Sequence, residues 1–169
     1  MIKYKLGYGL KILFIGINPH PGSDQRGVPY SNNKMFWYLM IAAGLIKESR
    51  ETVRDDKKLK YIYENEFQQK YHFGLLNLVD APTRTAAEVT QKDVIKGRKR
   101  ILNAIYTYKP KVVCFVGKIT YNLFIGTSKS DYGWQPTIDQ SKIYMSHFPH
   151  RGLASVRIKE LQEIYEASD

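Results

Sequence analysis

Lys11-Ile-Leu-Phe-Ile-Gly-Ile17 is an unbroken apolar run that ends against Asn18-Pro19. A strand with one wet face alternates polar and apolar residues. A run without alternation predicts a strand covered on both faces, as in a parallel sheet between helical layers. Three similar runs follow at Phe73-Gly-Leu-Leu-Asn-Leu-Val79, Val112-Val-Cys-Phe-Val116 and Lys142–Ser146. Helical patterns lie between them. Asn32 stands where it can cap a helix running to about Gly44, with Met35, Phe36, Leu39, Met40 and Ala43 on one stripe. The charge-rich segment Lys47–Lys70 predicts one further helix and surface loops. Thr90-Gln-Lys-Asp93 reads as a helix start, and Pro110 stops that helix after about Tyr108. Gly117-Lys118 opens a short helix to Phe124, and Gly126–Gln140 reads as loop. A last amphipathic helix spans about Val156–Ala167, with Ile158, Leu161, Ile164 and Tyr165 inward. The expectation is a single domain over residues 1–169, a three-layer α/β/α sandwich around a mainly parallel four-stranded sheet.

Composition narrows the function. The chain carries 26 Lys+Arg against 16 Asp+Glu, a formal charge of +10, with pI about 9.6. Such an excess points to an anionic partner, nucleic acid first. Cys114 is the one cysteine, which excludes an intramolecular disulfide and a cysteine-built zinc or iron–sulfur site. Of His20, His72, His147 and His150, only the last two have i, i+3 spacing, and no acidic or thiol partner lies near them in sequence. No metal and no cofactor is expected. No apolar run is long enough to cross a membrane, and Ile12–Ile17 is too short for the core of a signal peptide. A cytoplasmic location without membrane association is the expectation.

In open parallel sheets ligands bind beyond the carboxyl ends of the strands. That rule selects Gly16–Tyr30, Asn77–Thr85, Gly117–Tyr121 and His147–Ser155. The first lacks the G-x-G-x-x-G spacing of a dinucleotide site and the Gly-Lys-Ser/Thr of a phosphate loop. Asn18 is either a plain turn-forming Asn-Pro or a positioned amide able to hold a water or a base edge. The last segment, His147-Phe-Pro-His-Arg-Gly-Leu-Ala-Ser155, sets one leucine between small residues and beside basic ones. Leu153 either folds back onto the core or serves as a wedge in a base stack.

Read together, these segments resemble the mismatch-specific uracil-DNA glycosylase and thymine-DNA glycosylase family within the uracil-DNA glycosylase superfamily. The likeness runs from Lys11 to the end. The family's Gly-Ile-Asn-Pro-Gly is matched by Gly16-Ile17-Asn18-Pro19-His20, and Phe36-Trp37 follows on the next helix. Asn77-Leu-Val79 with Pro82-Thr83, then Gly117-Lys118, then Gly152-Leu153 match the later segments in order. Three departures stand out. His20 replaces a glycine, Phe-Pro-His-Arg precedes Gly152-Leu153 where the family has Asn-Pro-Ser, and Ala154-Ser155 stands where the mismatch enzyme has Ser-Arg.

The resemblance implies that the enzyme flips a base from a mismatched duplex such as G·U and hydrolyses its glycosidic bond, leaving an abasic site for base-excision repair. It implies that Asn18 orients the attacking water, that Tyr30 stacks on the flipped base, and that Ile17 contributes backbone contacts. Asn77 falls where uracil readers of the superfamily carry an Asn, whose amide can donate to a carbonyl and accept from an imino N–H. Gly152, Leu153 and Ala154 would form the wedge, and Lys118 and Arg151 would hold phosphates. His150 has two open roles, holding the departing base or a phosphate, and its neighbour Arg151 favours phosphate. The partner implied is double-stranded DNA with a mismatched or damaged base, met by a nucleoid-associated monomer. Two other readings compete: a non-catalytic binder of damaged DNA, and an α/β enzyme acting on a small anionic substrate.

Overall fold

The computed structural model describes all 169 residues. Five strands form one sheet: β1 Ile12–Gly16, β2 Phe73–Asn77, β3 Val112–Val116, β4 Gly133–Ile138 and β5 Ser141–Ser146, in the order β2-β1-β3-β5-β4. The four apolar runs are the four parallel strands, and every residue of β1, β2 and β3 is buried. Their lack of alternation has the cause anticipated for it, since helices cover both faces. Ile12, Phe14, Phe73, Leu75, Val112 and Cys114 face α2 (Met35–Ala42), α4 (Asp56–Asn65) and α7 (Ala154–Ala167). Leu13, Ile15, Leu76, Val113, Phe115 and Met145 face α5 (Gln91–Tyr108) and α6 (Lys118–Ile125). No helix is long and apolar enough to cross a membrane.

Four expectations are corrected, and one short helix is added. The sheet has a fifth strand, because β4 lies antiparallel to β5 inside the segment expected as loop. It is an edge strand, half of it exposed, with a register shift between Gln135 and Ile138 around Pro136. Proline cannot donate to a ladder and is tolerated at such an edge. Asn32 does not cap α2. Its N-cap is Lys34, and the Asn33 side chain accepts from the Met35 N–H at 3.0 Å. The segment 47–70 holds two helices, α3 (Arg50–Arg54) and α4, capped by Ser49 and Asp55. A short α1 (Pro21–Arg26) occupies part of the first edge segment, with the His20 ring accepting from the Gly22 N–H. Finally α7 starts at Ala154, so Ala154 belongs to a helix turn and Leu153 is its N-cap.

The order 2-1-3 means that the chain leaves β1 towards one side and later returns to its other side. The crevice of such a sheet opens at the carboxyl ends of β1 and β3. Gly16, Asn77, Gly117 and His147 all stand at that edge, which gathers the four segments selected from the sequence.

Candidate active site

Asn18 follows β1 by two residues. Its Nδ2 donates to the Ala81 carbonyl at 3.0 Å and to Thr83 Oγ1 at 2.6 Å. The Thr83 hydroxyl in turn donates to the Thr85 carbonyl at 2.8 Å. A carbonyl oxygen can only accept, so Ala81 fixes which end of the amide faces it. Both donors of Asn18 are spent on the loop after β2, and Oδ1 is left as an acceptor. The side chain is a held amide, not merely a turn former.

The neighbouring strand supplies a second amide. Gly16 and Asn77 are register partners across β1 and β2, on the face that packs on α2 and α7. A side chain at Gly16 would meet Asn77 Oδ1 at 2.5 Å and Tyr30 Oη at 2.8 Å. The missing Cβ of Gly16 is therefore what lets Asn77 and Tyr30 converge. Asn77 is buried at 5% exposure, and its side chain is free of protein hydrogen bonds while its backbone carbonyl accepts from Arg100 at 2.9 Å. Tyr30 has φ +55° and lies flat on Phe36, with ring centroids 4.4 Å apart. Its buried hydroxyl has no partner, and burial pushes the phenol well above the ordinary tyrosine range. Two adjacent polar tips, Asn77 amide and Tyr30 hydroxyl, are thus unspent. Ile17 gives its carbonyl to the Val79 N–H at 2.7 Å, which leaves only its N–H for a ligand.

Beyond β5, residues His150 to Val156 are all exposed. Leu153 is 72% exposed, so it does not fold back onto the core. Gly152, at φ +72°, sits in the left-handed region that spares glycine alone, and it turns the chain into the protruding tip. Arg157 fixes that tip from below, donating Nη2 to the Gly152 carbonyl at 3.2 Å and Nε to the Leu153 carbonyl at 3.4 Å. Arg151 is exposed beside it. His150 keeps much of its surface open, yet partial desolvation, and then the Arg157 charge, hold it below the ordinary histidine range. His150 is therefore neutral at physiological pH and would meet a phosphate as a hydrogen-bond donor, not as a cation.

Lys118 opens α6 immediately after Gly117, and its Nζ lies 5.4 Å from the Tyr132 ring centroid. Tyr132 in turn stacks on His147 at 3.6 Å between centroids. No spacing rule marks this stack in the sequence, where Tyr132 and His147 lie 15 positions apart. Glu160 on α7 receives both the His147 backbone N–H at 3.0 Å and its ring Nδ1 at 2.8 Å. With Nδ1 donating, Nε2 accepts when the ring is neutral and donates when it is protonated. The two residues lie on different elements, 13 positions apart, and no spacing rule marks them. A narrow cavity on the same face is lined by Phe14, Phe36, Cys114, His147 and Arg157. Burial pushes the Cys114 thiol up to about 12, so it is no nucleophile at neutral pH. No three His, Cys, Asp or Glu side chains come together to hold a metal ion.

The fold is an open, mainly parallel α/β sheet with a polar site at its carboxyl edge, and it has neither a dinucleotide fingerprint nor a phosphate loop. Residues 5–165 match the model of the Uracil DNA glycosylase superfamily, and the chain belongs to that superfamily. Its general activity is accordingly that of a DNA glycosylase, hydrolysis of the bond between a base and its deoxyribose.

Proposed function

We propose that this protein is a monofunctional glycosylase of the mismatch-specific uracil and thymine type, which excises uracil from mismatched duplexes, G·U first, and leaves an abasic site. The observation that carries the reading is Asn18, whose amide is pinned by Ala81 and Thr83 so that Oδ1 remains to accept from a water. An amide is too weak a base to deprotonate water outright. Its contribution is orientation against a sugar that becomes cationic as the bond breaks. The base would lie against the Tyr30 ring, with the Asn77 amide turned to its edge. Uracil offers carbonyl acceptors and an imino donor, which one amide satisfies in both senses.

His147, braced by Glu160, lines a cavity with Phe36, on which Tyr30 stacks, and in this reading it would meet charge developing on the departing base. Leu153 would fill the gap left in the stack, with Gly152 and Ala154 shaping the tip. Lys118, His150 and Arg151 would hold the backbone. A mispaired base costs least to unstack, which supports preference for a mismatch over a matched pair. The test is incubation of the protein with G·U, A·U and single-stranded uracil substrates, followed by alkaline cleavage at abasic sites. Cleavage greatest at G·U supports the reading. Tight binding to G·U with no cleavage would make the protein a binder of damaged DNA.

A further inference from the structure

Helix α5 is longer than the strands it packs on. At its seventh residue, Gly97, an added Cβ would lie 1.5 Å from the Leu78 carbonyl oxygen, so helix and strand end touch backbone to backbone there. Leu78 is the residue after β2. The six residues Gln91–Lys96 therefore project past the carboxyl edge of the sheet by about 9 Å, at 1.5 Å per residue. They stand on the same side as Asn18 and Leu153.

This overhang carries Lys92 and Lys96, and Lys99 continues the same stripe one turn on, all three exposed. Ile95 lies among them at 50% exposure. None of the three lysines has a carboxylate within salt-bridge distance. The nearby acids are occupied. Asp93 is held by the Thr90 hydroxyl at 2.8 Å, Glu88 accepts from the N–H groups of Arg84 and Thr85, and Asp80 pairs with Arg100 at 3.0 Å. Cations in the first turns of a helix also oppose its dipole, which favours negative charge at that end. The three charges thus have no ion-pair partner within the fold.

Resting on the DNA-glycosylase reading, we infer that Lys92, Lys96 and Lys99 form a second phosphate-contact surface that holds the duplex flank away from the lesion. In the plane of the sheet the strand order separates β2, beside α5, from β5, which leads to Leu153, by three strand spacings or about 14 Å, and α5 and α7 lie on opposite faces, so the stripe stands at least that far from the tip. At 3.4 Å per base pair that is at least about four base pairs. The stripe takes the backbone of the flanking duplex, and the tip takes the lesion.

The test uses the full chain with Lys92→Gln, Lys96→Gln and Lys99→Gln combined. Gln keeps the helix propensity of Lys. A second triple, Lys57→Gln, Lys58→Gln and Lys60→Gln on α4, removes the same charge from the opposite face. Binding is measured against salt on a G·U duplex of about 25 base pairs, and on a hairpin with about three base pairs on either side of the lesion. Each lost phosphate contact lowers the log–log salt slope by about 0.9, so three contacts remove about 40-fold of the affinity change between 50 and 200 mM salt. That loss is expected for the α5 triple on the long duplex only, with single-turnover excision at saturation unchanged. An unchanged slope, an equal effect from the α4 triple, or an equal loss on the short hairpin would overturn the inference. A parent protein that neither binds nor cleaves any uracil duplex would instead overturn the glycosylase reading beneath it.

Discussion

Gly16→Ala reaches the candidate base site without touching a residue proposed to react. The new methyl would lie 2.5 Å from Asn77 Oδ1 and 2.8 Å from Tyr30 Oη. Ordinary contact begins near 3.4 Å, so Asn77 must retreat by about 0.9 Å and Tyr30 by about 0.6 Å. Gly16 lies outside the left-handed region, so the backbone accepts alanine without strain. Both atoms that must move are side-chain tips, and the stability cost should stay at the low end of overpacking, about 1–2 kcal/mol. Displacement of binding groups by about 1 Å costs on the order of a hundredfold in rate. Thermal unfolding should therefore show a modest drop in Tm, while single-turnover uracil excision falls about a hundredfold at saturating DNA. The double variant with Asn77→Ala sharpens the argument. Asn77→Ala removes the clash at its nearest atom, so the two losses should be far from additive. Full excision activity in folded Gly16→Ala would refute the placement of the base between Asn77 and Tyr30.

Leu153→Ala should slow excision from a paired duplex about tenfold and leave single-stranded substrate nearly unaffected, since only the duplex must be unstacked; equal losses on both would deny it the wedge role. Thr83→Val removes one of two acceptors that orient Asn18, and a lost hydrogen bond of about 1 kcal/mol predicts a fall of about fivefold in single-turnover rate with DNA affinity unchanged; an unchanged rate would show that the Ala81 carbonyl alone holds the amide. His150 is held below its ordinary value of 6.5 in the folded chain, so the unfolded chain binds more protons in that window. Its contribution to stability is present above about pH 6.5 and is lost as pH falls through the depressed value. His150→Gln should flatten that part of the stability profile, and NMR titration of the parent should find His150 protonating below its ordinary value; titration at or above 6.5 would refute the combined effect of partial desolvation and Arg157.

The four parallel strands were readable because burial on both faces leaves nothing but apolar residues in β1 and β3. The edge strand β4 was not, because half of its residues face water and Pro136 interrupts it. The split between α3 and α4 had a readable signal in Ser49 and Asp55, both good capping residues that accept from the N–H groups following them. The cap of α1 had none, because a histidine is not among the preferred caps. At the site, Asn18, Asn77 and Gly117 were legible from their positions at strand ends. What holds them was not. The partners of Asn18 lie 63 and 65 residues away, and those of His147 lie on another element. Position along the chain thus marks the side chains at the edge, and long-range contacts decide which of them are fixed and which are free.

The central claim is that Asn18 orients the water that displaces uracil. Single-turnover excision from a G·U duplex, measured for the parent and for Asn18→Ala with DNA affinity determined alongside, tests it most directly. The parent should produce abasic sites, and Asn18→Ala should do so at least about a hundredfold more slowly, the scale of losing a positioned catalytic group. Affinity should stay within a few-fold, because phosphate contacts supply most of it. Excision by Asn18→Ala at the parent rate would contradict the account.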